Sequence, residues 1–404
     1  MIDVIIWIVL VIVCFLTTFC GCVQLGTCFP KLCSNHFLCF SFCKPKPTPL
    51  VKDGYVSSSD GGDLESGAGK EPPQNGYPTL AGVLTDPVAL VLRLACSLLT
   101  AFILAIILIA IIVSTYSAFP GVDASECKTT CKADDDYCCT YENPLADIKD
   151  SIEDVEFTSG DANLHGWWIP GKAPVQGTIL YNHGSGSNVA GMYRQHRYVY
   201  LTQTLGMNVF VYDYPGYGKS EGSASDDSVF QSARDALEWL KTKTSLPETE
   251  LFILGRSLGS SVAVRLASEV DIKAKGPGSK GVILQSAYSS YKAAAGASMS
   301  MLGFVAASVW PTDMGPPTDF APDIKSCVHQ FHSEDDEWVP ISQGRKVHKL
   351  IDTQTASCKV WVETKKEKHD DPMTDAEKTS LQAWVAAINN ANPPPAAPAA
   401  TPAP

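Results

Sequence analysis

The stretch Leu251–Ser268, "LFILGRSLGSSVAVRLAS", constrains the chain more than any other. An unbroken apolar run passes through Gly255-Arg256-Ser257-Leu258-Gly259 into small residues with helical spacing. Such a junction predicts a buried strand that turns sharply into a helix, with Ser257 at the turn. A turn that tight needs small neighbours, and Gly255 and Gly259 let the strand and the helix approach closely. Gly-x-Ser-x-Gly alone recurs by chance, because serine and glycine are common. The buried strand before it and the small-residue helix after it make the pattern specific.

The surrounding region repeats the same alternation. Strands are expected at Asp154–Thr158, Leu164–Pro170, Thr178–Asn182, Asn208–Tyr214, Leu251–Gly255, Gly281–Gln285, Cys327–Phe331 and Cys358–Val362. Helices are expected near 188–205, 225–244, 258–270, 342–352 and 375–389. Strand followed by helix, repeated, implies an α/β fold with a mostly parallel sheet covered on both faces. In such sheets sites form at the carboxyl ends of strands, where Ser257 falls.

A nucleophilic serine needs a base to take its proton and a group to orient that base. "CVHQFHSEDDEWVP" places Asp336 after one strand, with Glu334, Asp335 and Glu337 as rival acids, and "ETKKEKHDDP" places His369 after the last strand. His183 and His332 read as structural residues of their blocks. Gly218-Lys219-Ser220 imitates the end of a phosphate-binding loop, but Asp213 stands where that motif requires glycine. Gly184-x-Gly186 likewise lacks the third glycine of a dinucleotide fingerprint, since Val189 occupies its place.

The blocks "LHGWWIP" (164–170), "YNHGSGSN" (181–188), "VYDYPGYGKSEG" (211–222), "GRSLGS" (255–260) and "HSEDDEWVP" (332–340), together with His369, resemble the α/β-hydrolase superfamily. The likeness covers about 150–390. It is nearer to the membrane-anchored branch of lysophospholipases and protein depalmitoylases related to the serine aminopeptidase S33 domain. It implies the order Ser257, Asp336, His369 as a triad, and an oxyanion hole from the backbone N–H groups of Leu258 and Ser185. Relatives carry glycine where Ser333 stands, and glycines where "KKEK" precedes His369.

Outside that region the chain is organised by membrane and cysteine signals. Val4–Pro30 holds no charged side chain, and Leu94–Val113 is a run of twenty uncharged residues. Twenty helical residues cross a hydrocarbon core of about 30 Å. The expected organisation is a first span or signal anchor (1–24), a Cys-rich then Pro/Gly/Ser-rich loop (25–86), a second span (87–119), an acidic Cys-rich connector (120–150), the hydrolase domain (151–390) and a Pro/Ala tail (391–404). A cleaved signal peptide is the alternative for the first segment, although it lacks a basic leading region. Lys31, Lys44, Lys46 and Lys52 put the loop in the cytosol and the domain in the lumen or outside, with a cytosolic domain as the alternative. Cys127, Cys131, Cys138 and Cys139 read as disulfides, in agreement with that side, whereas no Asn-x-Ser/Thr sequon occurs. Cys20, Cys22, Cys28, Cys33, Cys39 and Cys43 read either as palmitoylation sites or as small apolar or disulfide residues.

A net charge of −12, without a basic surplus, argues against phosphate-backbone binding, so no nucleic-acid partner is expected. The expected partners are the bilayer and an acyl lipid or lipidated protein as substrate; oligomeric state is not legible. Residues 288–317 form either a short apolar slot for an acyl chain or a simple packed helix. The chemistry expected is hydrolysis of acyl esters or thioesters through an acyl-enzyme, with no metal or organic cofactor. An S33-type aminopeptidase and a catalytically silent membrane scaffold are the alternatives.

Overall fold

The computed structural model describes residues 95, 97–105, 119, 121–132, 135, 137–298, 315–353 and 358–391, without the side chains of 295–298. Two compact units divide between Ile103 and Leu104. In the first, residue 95 and residues 97–103 are helical, and Leu98, Leu99, Phe102 and Ile103 are exposed. Among the described residues no helix is long and apolar enough to cross a membrane. The expected first span, the cysteines at 20–43 and most of the second span lie outside the described residues, as does the tail beyond 391.

The second unit is built on eight strands: β1 (Glu153–Ser159), β2 (Ala162–Ile169), β3 (Gly177–Asn182), β4 (Met207–Tyr212), β5 (Leu251–Arg256), β6 (Gly281–Gln285), β7 (Val328–Ser333) and β8 (Lys359–Thr364). Their order across the sheet is β1-β2-β4-β3-β5-β6-β7-β8. Only β2 runs against its neighbours; every pair from β4 to β8 is parallel. The β5 run Leu251–Arg256 is buried throughout because layers cover the sheet on both sides.

Among the described residues six helices run for eight residues or more, α1 (Met192–Val199), α2 (Asp226–Thr244), α3 (Leu258–Ala274), α4 (Tyr291–Ser298), α5 (Ile341–Leu350) and α6 (Asp375–Ala391), and all but α4 cover the sheet. Alternating strand residues divide between the two faces. Leu180, Phe210, Ile253 and Leu284 pack with Val229 and Leu237 of α2, Val262 and Leu266 of α3, and Val347 of α5. Ile179, Val209, Phe252 and Ile283 pack with Tyr198 of α1 and with Leu381, Trp384 and Val385 of α6. At roughly 1.5–3 kcal/mol for each large apolar side chain buried, these two layers dominate the stabilisation.

Local signals agree with this packing. Ser225 caps α2, its Oγ accepting the Ser228 N–H at 3.2 Å while Ser228 Oγ accepts the Ser225 N–H at 2.8 Å. Asp226 and Asp227 open that helix and Lys241 and Lys243 close it, each sign opposing the helix dipole at its end. The helix expected over 188–205 is shorter: α1 starts at Met192, after a loop, and its last turn widens into a π-helix over Tyr200–Thr204.

Three disulfides tie the unit. Cys127–Cys139 and Cys131–Cys138 nest within the connector, and Cys327–Cys358 joins the segments that enter β7 and β8. In the expected slot region, Tyr288, Ala294 and Val339 form a small buried cluster at the start of α4. Residues 299–314 lie outside the described residues.

Candidate active site

Ser257 stands between β5 and α3 at φ 51° and ψ −119°, a conformation that L-residues rarely occupy. The close crossing explains both glycines. A Cβ on Gly255 would run into the carbonyl oxygen of Gly259, and one on Gly259 into that of Asn182. The Ser257 N–H donates to the Gln285 carbonyl at 3.0 Å, which locks the turn to β6.

The loops after β7 and β8 bring two further groups to this turn. His369 Nε2 lies 2.9 Å from Ser257 Oγ, and His369 Nδ1 lies 2.9 and 2.8 Å from the two oxygens of Asp336. Asp336 and His369 are both buried. Of the four acids in that loop, Asp336 alone faces the imidazole. Glu334 pairs with Arg345 and Lys365, and Glu337 accepts the backbone N–H of His369 at 3.0 Å.

The electrostatics follow from this packing. Burial raises the affinity of Asp336 for a proton, but hydrogen bonds from His332 and His369 outweigh it and hold the carboxyl far below the usual range. The backbone N–H groups of Trp338 and Val339 donate to Asp336 Oδ1 at 3.1 and 2.8 Å. Burial pushes His369 below its ordinary value; the Asp336 hydrogen bond opposes this, and the nearby Arg256 charge adds to it. The group beside Ser257 is therefore a neutral imidazole near pH 7, able to accept a proton.

Leu258 is the first residue of α3, so its N–H has no acceptor within the helix. Ser185 lies in the loop after β3, and Gly184 packs against the elbow: a Cβ there would stand 3.3 Å from that of Ser257. His183 and His332, expected to be structural, both bond to backbone carbonyls, and His332 also lies 3.4 Å from Asp336 Oδ2. His183 Nδ1 is bonded to the Gly184 carbonyl at 2.7 Å, and His332 Nε2 to that of Val339 at 2.8 Å. Burial, and then the Arg194 charge, lower the His183 pKa to about 3. Asp213, in the block that imitates a phosphate loop, is wholly buried and accepts the Tyr141 hydroxyl at 2.8 Å and the Val189 N–H at 2.7 Å.

Two arginines escaped the sequence reading. Arg256 donates to the carbonyl of His369 and, at 2.7 Å, to Asp370 Oδ1. Arg194 reaches the loop after β3. The middle positions of Gly-x-Ser-x-Gly read as free, and a partner 113 residues away leaves no local signal; full burial of an arginine was the only clue, and it is visible in the structure alone.

An eight-stranded α/β sheet with a serine elbow at the end of β5 defines the hydrolase class. Residues 173–319 match the family described as Hydrolase_4, serine aminopeptidase S33. The chain is 30% identical over 205 residues to the α/β hydrolase domain-containing protein WAV2 of Arabidopsis thaliana, covering 46% of this chain and 63% of the relative. It is 28% identical over 186 residues to the α/β hydrolase domain-containing protein aho-3 of Caenorhabditis elegans, and 30% over 194 residues to the lysophosphatidylserine lipase ABHD12 of Danio rerio. Each of these two matches covers 46% of this chain and 50% of the relative, so the chain spans about half their length. Among solved structures, the Pyrococcus furiosus esterase Pf2001 aligns with 59% of this chain and 91% of its own, at 19% identity and a TM-score of 0.47. The family match and the curated relatives support the α/β-hydrolase superfamily.

Proposed function

We propose that the chain is a membrane-anchored serine hydrolase of acyl esters or thioesters, working through Ser257, His369 and Asp336. The observation that carries this reading is the continuous hydrogen-bonded line from Ser257 Oγ through His369 to Asp336, at 2.9 and 2.8 Å. His369 takes the proton of Ser257 as Oγ attacks the acyl carbonyl, and the N–H groups of Leu258 and Ser185 receive the oxyanion. Collapse expels the alcohol or thiol, protonated by His369, and leaves an acyl-enzyme. Water then attacks that ester with His369 again as base, releasing the fatty acid and free Ser257.

A lipid or lipidated substrate is supported by the lysophosphatidylserine lipase among the relatives, and by the apolar segments at 4–30 and 94–113. The exposed Leu98, Leu99, Phe102 and Ile103 suit a bilayer better than water. Three disulfides support placing the domain in an oxidising space, lumenal or exterior. The S33 match favours a second reading, an aminopeptidase, which needs an acidic pocket for a substrate amine.

Labelling of full-length protein in membranes with an impermeant fluorophosphonate tests the proposal, before and after permeabilisation. Labelling of the parent, lost in Ser257→Ala, is the expected result, and its dependence on permeabilisation reports the side. A folded parent that stays unlabelled on both sides would sink the enzymatic reading. Faster turnover of aminoacyl arylamides than of acyl esters would favour the peptidase.

A further inference from the structure

We infer that Arg194 is a positioning residue for the oxyanion hole: its guanidinium holds the carbonyls of the loop after β3 on one side and so turns the Ser185 and Gly186 N–H groups to the other. The inference rests on the reading of Ser257 as nucleophile.

Arg194 is wholly buried on α1 and forms no ion pair among the described residues. A cation taken out of water without a carboxylate is costly, and this one is compensated by backbone oxygens instead. Its Nη2 donates to Gly184 O at 2.6 Å and to Ser185 O at 3.0 Å, and its Nη1 donates to Asn188 O at 2.6 Å. One guanidinium thus gathers three carbonyls from a five-residue loop.

In a trans peptide the C=O and the N–H lie in one plane and point in opposite directions. Both peptides concerned are trans, since the one cis bond among the described residues is Ala173–Pro174. With the Gly184 and Ser185 carbonyls drawn to Arg194, the following N–H groups, those of Ser185 and Gly186, face away from it. Gly186 allows the turn at φ +82°, where a side chain would be strained. Neither N–H donates to any described residue. Two successive free N–H groups on one side form a concave donor site for an anion. The loop that carries them touches the elbow through Gly184, 3.3 Å from Ser257 Cβ by the position of an added Cβ.

The far end of the loop is pinned as well. The Asn188 side chain donates to Val122 O at 3.0 Å and to Cys127 Sγ at 3.1 Å, and accepts the Ala190 N–H at 3.0 Å. The loop therefore has two fixed points, and Arg194 sets the orientation of the peptides between them.

The test uses full-length protein in detergent, with p-nitrophenyl octanoate as substrate and active sites counted with a fluorophosphonate. Arg194→Gln is expected to lower kcat per titrated site by about 10²-fold, the scale of one lost oxyanion donor, with KM within about threefold. Affinity for a trifluoromethyl ketone should fall in step with kcat/KM, and Arg194→Lys should recover part of both. A merely structural role would lower the number of titrated sites and leave kcat per site unchanged; that result, in folded Arg194→Gln, overturns the inference. If neither variant folds, the parent phosphonylated at Ser257 decides. A phosphonyl oxygen within hydrogen-bond reach of Ser185 N, with Arg194 on Gly184 O, upholds the inference, and an oxygen held elsewhere overturns it. A parent without Ser257-dependent turnover would instead overturn the functional reading, and the inference with it.

Discussion

Arg256 and His369 are joined across the site: the guanidinium next to the nucleophile donates to the backbone carbonyl of the residue that serves it, and also to Asp370. The loop after β8 carries three lysines just before His369, and this bond, with the Glu337 contact to the His369 N–H, keeps the imidazole at the elbow. Arg256→Ala removes a buried partner and should cost roughly 3 kcal/mol, read as a lower urea midpoint. Esterase kcat should drop at least tenfold, and Arg256→Lys should restore part of it. Unchanged kcat in folded Arg256→Ala would show that the loop holds itself.

Ser257 occupies φ 51° and ψ −119°, so its backbone stores strain that glycine would relieve. Ser257→Gly should therefore be inactive yet more stable than Ser257→Ala, by about 1 kcal/mol. Thermal unfolding of the two inactive proteins compares them directly; equal midpoints would mean that the elbow is unstrained.

Activity and stability both depend on pH through histidines held neutral. His369 must be unprotonated to act as base, and its value lies below the ordinary 6.5. The acid limb of kcat/KM should therefore have an apparent pKa below 6.5, and activity should rise with pH through it. A limb at or above 6.5 would contradict the environment described for this ring.

For stability, His183 and His329 are lowered to about 3 and about 4, both chiefly by burial. The unfolded chain takes up those protons near pH 6.5 and the folded chain does not. Their contribution is complete above that pH and declines as pH falls, at up to about 1.4 kcal/mol per pH unit for each ring. Urea midpoints of Ser257→Ala at pH 7.5 and 5 should differ accordingly; equal midpoints would be the contrary result.

Cys327–Cys358, 31 positions apart, ties the residue before β7 to the residue before β8, the strands that lead to Asp336 and His369. Replacing both cysteines by alanine should cost about 3.7 kcal/mol by loop-closure entropy. The same midpoint measurement reads it, and a change under about 1 kcal/mol would show that the two strands pair without the bridge.

The sheet was legible because strands covered on both faces read as short apolar runs, and all eight stand where the sequence places them. The edges differ by one or two residues: β7 and β8 run on to Ser333 and Thr364, into polar residues with no apolar signal. Ser257 was legible from its elbow. Asp336 could not be separated from its acidic neighbours by spacing, since the choice depends on which carboxyl turns inward. Arg194, Arg256 and the Cys327–Cys358 bridge were hidden because each acts on a partner distant in the chain or on a backbone atom, which has no letter in the sequence.

The nested bridges of the connector end on adjacent cysteines, 138 and 139. A slip of one residue would exchange their partners and give an isomer of equal mass and equal redox state. What selects between the two is backbone register: the Cys139 carbonyl accepts the Lys128 N–H at 2.9 Å, and Cys139 bridges to Gly191 beside the loop that ends at Asn188. Thiol counting cannot tell the isomers apart. Only the native one puts the Cys127–Cys139 sulfurs against the Asn188 side chain, so an oxidised chain can still be wrongly wired.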